Sequence, residues 1–289
     1  MPHCTSYDGT EIAYRDQGEG PVLLALAGGP GRDAAYLGDL AGLDTVRRLV
    51  VPDGRGTGDT APAPDPLAYS FPRLAQDVEA LRRHLGLERF ALLAHDAAAA
   101  TAQAYAAEYR DRLTHLVLVA PGSRLQGVRP DDARAIFESR AGEPWWPDAV
   151  AALGELESAD DLDRVRELLL LVAPMAYGRW DAPQRDHAAA EGAQTHPVPR
   201  AGFWQGVDEQ ARQSLLDRLR EVTCPVLVVT GDRDAVTGMR AGEVVADSFP
   251  HARLRPLHAV GHYPWVDEPA LFRPVVEEFL ASGAAPGPS

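Results

Sequence analysis

The chain has 289 residues, of which 45% are hydrophobic and 24% charged, and this is enough for one large core with a smaller added unit. A net charge of −14 predicts repulsion from nucleic-acid phosphates and anionic lipids, so we expect neither nucleic acid nor a membrane as a partner. Cys4 and Cys224 are far apart and exclude a disulfide framework, which fits a cytoplasmic protein. The absence of lysine and asparagine is typical of a high-GC bacterial genome.

Short apolar runs bounded by turn residues recur along the chain. Such runs are typical of strands buried on both faces of a parallel sheet, and helical stretches such as Leu74 to Leu85 separate them. The runs are Val22 to Ala27, Leu49 to Val51, Phe90 to Leu93, Leu116 to Val119 and Val226 to Val229. The alternation predicts an α/β fold with a mostly parallel, doubly wound sheet.

Between residues 126 and 204 the strand-like runs give way to helix-forming segments such as Asp160 to Val172. We therefore predict a helical cap over 126–204, inserted between two parts of the sheet domain at 1–125 and 205–280. The last nine residues, 281–289, are all Ala, Ser, Gly or Pro, a composition that predicts a disordered tail.

The segment Leu92 to Ala99 joins a predicted strand directly to a predicted helix and surrounds Asp96 with small residues. A tight turn of this kind presents its central side chain above the sheet, as a nucleophile elbow does. Aspartate tolerates a positive φ better than most residues, so Asp96 suits the strained corner. The alternative is an aspartate that caps the following helix.

An acid and a histidine follow the elbow in the chain order expected of a catalytic triad. The acid is Asp234, which we prefer to Asp232 because the turn after the strand should carry Asp234 back over the end of the sheet. The histidine is His262, and His258 is the lesser candidate.

With these motifs the chain resembles the proline iminopeptidase-like branch of the α/β-hydrolase superfamily over nearly its whole length. The matching stretches are Ala27–Gly31, Asp53–Gly58, the elbow and the Gly261–His262 segment. The resemblance implies the α/β-hydrolase fold, with an oxyanion hole formed by the backbone N–H groups of Gly29 and Ala97. We expect no cofactor, and no metal in particular, because the histidines lack HxH and HExxH spacing.

Asp96 stands where the peptidases of this branch have serine. A carboxylate is ionised near pH 7, but its attack on an ester or amide would give an energetically poor anhydride. It is better suited to attack on saturated carbon, and in this the elbow resembles those of epoxide hydrolases and haloalkane dehalogenases. His262, oriented by Asp234, would then activate water against the ester on Asp96.

Neither of these two subfamilies is matched completely. The dehalogenases usually carry a halide-binding tryptophan after the nucleophile, where this chain has Ala97, and epoxide hydrolases usually have two cap tyrosines, whereas the predicted cap contains Tyr177 alone. Aromatic rings of the cap either pack it against the core or line a pocket for a small hydrophobic metabolite. The candidate pocket residues are Trp145, Trp146, Tyr177, Trp180 and Trp204.

Three hypotheses follow for the function of the chain. In the first, Asp96 attacks an epoxide-like electrophile and a triad of Asp96, His262 and Asp234 completes hydrolysis. In the second, Asp96 and His262 act as acid and base in a non-hydrolytic biosynthetic step, such as cyclisation or carbon–carbon bond formation. In the third, the chain is a peptidase or esterase relative inactivated at the nucleophile, or a ligand-binding protein. The sequence does not specify the substrate or the oligomeric state.

Overall fold

One mixed sheet organises the protein in a computed structural model that describes residues 1–282, apart from the side chain of Leu162. Its eight strands lie in the order β1-β2-β4-β3-β5-β6-β7-β8. The first pairs, β1 with β2 and β2 with β4, are antiparallel, and the pairs from β4 onward are parallel. The strands are β1 His3–Thr5, β2 Glu11–Gln17, β3 Val22–Leu26, β4 Arg48–Pro52, β5 Phe90–His95, β6 Leu113–Val119, β7 Val226–Gly231 and β8 Ala252–Leu257.

Helices cover both faces of this sheet. They are α1 Phe71–His84, α2 Ala98–Glu108, α3 Asp132–Ser139, α4 Trp146–Leu156, α5 Leu162–Val172, α6 Ala182–Ala189, α7 Glu191–Gln194, α8 Pro197–Gly202, α9 Glu209–Leu219, α10 Met239–Ala246, α11 Pro264–Asp267 and α12 Pro269–Ala281. The predicted α/β-hydrolase fold with a mostly parallel, doubly wound sheet is confirmed, and each of the five predicted runs contributes a strand.

Two hydrophobic clusters lie on opposite faces of the sheet. Alternate residues of a strand point to opposite faces, so Leu92 of β5 belongs to the cluster under α1 and α2, while Leu93 belongs to the cluster under α12. This explains why the inner strands read as continuous apolar runs: β3 to β7 are covered on both faces.

The chain between β6 and β7 is helical, from α3 to α9. Helices α4 and α5 pack on each other around a small apolar cluster that includes Ala152, Leu168 and Val172. Helix α9 returns to the sheet domain and buries Leu215 and Leu219 against the core. The cap boundaries at residues 126 and 204 stay a prediction.

The last described helix extends past the predicted end of the sheet domain. Helix α12 includes Ala281, and Ser282 caps it with an N–H that donates to the Phe279 carbonyl oxygen at 3.1 Å, so the first two residues of the predicted tail belong to this helix end. The rest of the predicted tail, 283–289, lies outside the described residues. No helix within residues 1–282 has the length and apolar character that crossing a bilayer requires.

Candidate active site

Asp96 occupies a strained corner between β5 and α2. Its φ of 50° lies in the left-handed region, and α2 begins two residues later at Ala98. Gly28, in the loop after β3, lies against this corner: a Cβ there would come within 2.4 Å of the His95 carbonyl oxygen and 2.8 Å of the Asp96 Cβ. The loop can therefore approach the elbow this closely because residue 28 has no side chain.

The two carboxylate oxygens of Asp96 face different partners. Oδ2 accepts a hydrogen bond of 2.9 Å from the Gly29 backbone N–H, the predicted oxyanion donor. Oδ1 lies 3.8 Å from Nε2 of His262. Ala97, the second predicted donor, lies between Asp96 and the first residue of α2. The carboxylate thus spans the space between an oxyanion donor and the imidazole, with its side chain 18% exposed to the cavity.

His262 and Asp234 form a fully buried pair. Nδ1 of His262 lies 2.9 Å from Oδ2 of Asp234. Asp234 also accepts hydrogen bonds from the backbone N–H groups of Val236 and Thr237 and from the Thr237 hydroxyl, at 2.8, 3.1 and 2.6 Å. Because the acid is held at both oxygens, it fixes the imidazole with Nε2 directed at Asp96.

The charges of this site shift the pKa values of the buried pair. Burial opposes the charged form of His262, but Asp234 and then Asp96 outweigh burial and raise the pKa of the imidazole above its ordinary value. Burial also opposes ionisation of Asp234, yet His262 and the Thr237 hydrogen bonds lower the pKa of this carboxyl below its ordinary value. Each member of the pair therefore stabilises the charged form of the other.

A buried hydrogen-bond chain behind Asp96 joins the oxyanion loop to the histidine loop. Nε2 of His95 lies 2.9 Å from the carbonyl oxygen of His262, which can only accept, so Nε2 carries the hydrogen. Burial, followed by the charge of His262, holds the pKa of His95 well below its usual range, so the ring is neutral and Nδ1 accepts. The Tyr36 hydroxyl donates to Nδ1 at 2.7 Å and accepts from the Gly28 N–H at 2.7 Å.

A cavity of about 160 Å³ opens above Asp96. One wall is apolar and comes from the end of α5, the turn after it and the β7 loop: Leu169, Val172, Ala173, Met175, Ala176 and Val236. The other wall is polar and comes from the oxyanion loop, the α7–α8 segment and the histidine loop: Gly29, Arg32, Tyr36, Glu191, Thr195, Arg200 and Tyr263. The site therefore offers a ligand one apolar wall and one charged wall.

The five candidate pocket aromatics are not among the residues that line this cavity, although the structure describes all of them. They are Trp145, Trp146, Tyr177, Trp180 and Trp204. Trp146 stacks on Phe137, and Trp145 donates to Glu143. Trp204 packs on Phe71 in the core, with ring centroids 5.0 Å apart. Trp180 lies beside Tyr177, which is buried and has its hydroxyl 2.7 Å from His187. The five side chains therefore pack against neighbouring protein residues.

The two less favoured candidates of the sequence analysis, His258 and Asp232, pair with each other away from the cavity. Nδ1 of His258 lies 2.6 Å from Oδ2 of Asp232, and the His258 side chain is 91% exposed. The structure instead brings Asp96, Asp234 and His262 together.

Sequence reasoning missed the charged wall of the cavity. Arg32 directly follows the glycine-rich loop and Tyr263 follows the histidine, so a search of the neighbours of each motif would have found both. Glu191 and Arg200 lie in a stretch with no motif, and folding alone brings them to the site. Within residues 1–282, no cluster of three or more His, Cys, Asp or Glu side chains is arranged to hold a metal ion.

The elbow, the acid and the histidine at the carboxyl ends of a mostly parallel sheet define the α/β-hydrolase class. Residues 21–171 match the family model of the alpha/beta hydrolase fold, and the chain belongs to this family of enzymes. Among curated relatives, a pimeloyl-[acyl-carrier protein] methyl ester esterase of Aeromonas hydrophila is 26% identical, covering 91% of this chain and 96% of that protein.

Solved structures show the same fold. The esterase RhEst1 from Rhodococcus sp. ECU1013 superposes with a TM-score of 0.77 and 22% identity, over 98% of this chain and 99% of that one. A proline iminopeptidase from Mycobacterium smegmatis superposes with a TM-score of 0.74 and 22% identity, over 98% of each chain. At these identities the likeness establishes the fold and leaves the chemistry of Asp96 to be argued from the site.

Proposed function

We propose that this protein hydrolyses an epoxide-like electrophile on a small, largely hydrophobic metabolite through an ester formed on Asp96. The observation that carries the proposal is the position of the Asp96 carboxylate, with one oxygen on the Gly29 N–H and the other 3.8 Å from His262. One oxygen can therefore attack while the other already rests on the donor that must later stabilise an oxyanion.

In the first step, a lone pair of Asp96 Oδ1 attacks a saturated carbon of the substrate, and the carbon–oxygen bond of the epoxide breaks. The leaving oxygen takes a proton from the His262 imidazolium, which the raised pKa makes available. Tyr263 lines the cavity and accepts a 3.0 Å hydrogen bond from Arg32, which leaves its own hydroxyl hydrogen to donate to that oxygen. This tyrosine would do part of the work that two cap tyrosines do in epoxide hydrolases.

In the second step, the ester itself prepares His262 to act as a base. Esterification removes the negative charge of Asp96, one of the charges that raise the pKa of His262, so the neutral imidazole that can accept a water proton is favoured over the imidazolium. The resulting hydroxide adds to Cγ of Asp96, and the oxyanion formed on Oδ2 stays on the Gly29 N–H. Collapse releases the alcohol, which takes its proton from His262, and the Asp96 acid returns a proton to the imidazole.

One observation favours a second candidate function. The raised pKa of His262 and its position beside Asp96 also suit an acid–base pair that moves protons without covalent attachment, as a cyclisation or carbon–carbon bond-forming step requires. This reaction would leave no adduct on the enzyme, and a trapping experiment separates it from the first.

The experiment uses His262→Ala, which retains Tyr263 as a donor to an opening epoxide and should form the ester, though more slowly, but fail to hydrolyse it. The variant is incubated with epoxides, alkyl halides and activated esters, and the intact mass is followed by peptide mapping. We expect a stable adduct on Asp96 from an epoxide. His258→Ala is the matched control, since it removes the exposed histidine–aspartate pair outside the cavity and should accumulate nothing.

A second variant, Asp96→Asn in the His262→Ala background, should lose the adduct. Absence of any adduct from folded His262→Ala protein, with alkyl halides, whose leaving group needs no proton, as well as with epoxides, refutes the covalent proposal and leaves the acid–base role or a binding role. An adduct from the activated esters in place of the epoxide assigns Asp96 to acyl chemistry and also refutes the proposal.

A further inference from the structure

Arg32 is a buried cation on the wall of the candidate active site, with its side chain 3% exposed. Its polar contacts are long for a guanidinium: Nε to Gln194 Oε1 at 3.1 Å, Nη1 to the Tyr263 hydroxyl at 3.0 Å and to Glu191 Oε2 at 3.4 Å, and Nη2 to the His187 carbonyl oxygen at 3.4 Å. Its carboxylate partner Glu191 is 40% exposed in its side chain, so water weakens the pair.

A second buried arginine in the same protein shows what full pairing looks like. Arg55 bonds both oxygens of Asp77 at 2.8 and 2.7 Å, and both oxygens of Asp8 at 2.6 and 3.0 Å. Buried charges are stable when they are paired with short, bidentate contacts. Arg32 lacks such a pair. Its guanidinium lies 4.3 Å from the ring centre of Tyr36, which holds the plane in position without neutralising the charge.

Arg32 does not stand alone on the polar wall. Arg200 lines the same cavity, and its Nη1 donates a 2.9 Å hydrogen bond to the Gly29 carbonyl oxygen. The charged side chains that line the cavity are thus two arginines and His262 against Asp96 and Glu191. Asp234 lies directly behind His262 and balances a charge on the imidazole, so the two arginines face Asp96 and Glu191, and both adjoin the loop that holds the Asp96 carboxylate.

We propose that the substrate is an amphiphilic anion whose carboxylate binds Arg32 and Arg200, and whose apolar part lies against Leu169, Val172 and Met175. The incoming carboxylate would supply the short pair that Arg32 lacks, while Glu191 is free to turn to solvent. This inference rests on the proposed function for the position of the reacting carbon beside Asp96. It assigns a class of substrate, a hydrophobic acid, that the position of Asp96 does not determine.

The first test is binding of unreactive ligands that differ in charge alone. Hexanoate and its neutral isostere hexanamide are titrated calorimetrically into the full chain at low ionic strength. We expect hexanoate to bind about tenfold more tightly or better, because a buried charge-assisted contact is stronger than a neutral one. The advantage should shrink in high salt. Equal affinity of the two ligands, or tighter binding of the amide, overturns the proposal.

Arginine variants test which side chains bind the carboxylate of hexanoate. Arg32→Gln and Arg200→Gln should each reduce the preference for hexanoate by about three- to tenfold while hexanamide affinity changes little. Arg179→Gln is the matched control, an exposed arginine paired with Glu268 away from the cavity, and should retain the full preference. If Arg32→Gln fails to fold, Arg200→Gln and the wild-type comparison still decide. A preference that survives the tested arginine variants refutes the assigned site.

The binding test and the trapping test fail separately. Hexanoate forms no bond to Asp96, so its preference over hexanamide supports the anion site even where no epoxide adduct is found. An adduct from neutral epoxides together with equal binding of the two ligands supports the covalent chemistry and overturns the anion site. In His262→Ala, an epoxide that carries a carboxylate should alkylate Asp96 faster than its amide does if both proposals hold.

Discussion

The substitution Tyr36→Phe tests whether the buried chain behind Asp96 stabilises the site. The change keeps the ring and removes the hydroxyl that accepts from the Gly28 N–H and donates to His95 Nδ1. Both groups are then left buried without this partner, at a cost of about 1–3 kcal/mol each. We expect the free energy of unfolding to fall by roughly 2–6 kcal/mol, which lowers Tm by roughly 4–12 °C for a chain of this size.

Denaturant titration and calorimetry measure this loss, and Tyr7→Phe is the control. Tyr7 is 44% exposed, so removal of its hydroxyl should change stability by less than about 0.5 kcal/mol. Tyr36→Phe in the His262→Ala background should also slow adduct formation, because the loop that holds Gly29 loses an anchor. A stability of Tyr36→Phe within about 0.5 kcal/mol of wild type would show that the chain contributes nothing, and the reasoning would be wrong.

Three further predictions follow from buried charges. Arg55→Met should lower the free energy of unfolding by about 3–5 kcal/mol, because it leaves the buried Asp77 carboxylate unpaired. Arg164→Met removes an exposed pair and should cost much less, and thermal unfolding compares the two. NMR titration should give His262 a pKa above 6.5, and Asp96→Asn should lower this pKa. The raised pKa of His262 stabilises the fold at low pH, and this contribution is lost as pH rises through the pKa of the folded state. Burial raises the pKa of Asp267 to about 6 from 3.8, so its contribution to stability falls as pH rises between these values, and Asp267→Asn should flatten that part of the stability curve; an unchanged slope contradicts the assignment.

The sheet was predictable wherever a strand is buried on both faces. Runs such as Val226 to Val229 have no polar position, and each became a strand. Strand β8 escaped prediction because it lies at the edge of the sheet and alternates arginines with apolar residues, as Arg253 and Arg255 show. Its pattern reflects one exposed face, which a search for continuous apolar runs does not detect.

The candidate triad was predictable because its members follow strand ends in a fixed order, and the carboxyl ends of parallel strands meet at one edge of the sheet. The residues of the cavity wall could not be predicted in this way. Trp145 and Trp204 were chosen as large rings in the predicted cap, yet such rings are equally useful for packing, and here they pack. The apolar wall comes instead from Leu169 and Met175, whose type is common throughout the chain and gives no local signal.

The segment from Glu191 to Arg200 limits how this protein can be re-engineered. Two backbone hydrogen bonds, in addition to the side chains of Arg32 and Arg200, join this segment to the oxyanion loop. The His196 N–H donates to the Gly31 carbonyl oxygen, and the Asp33 N–H donates to the Gln194 carbonyl oxygen, both at 2.8 Å. The oxyanion loop is therefore held in place partly by residues 191–200. Chimeras that exchange the α4–α5 hairpin for another insert should keep the geometry at Gly29, whereas a crossover point inside 191–200 would separate two halves of one structure. Changes meant to alter specificity should therefore be made in the chain before residue 191.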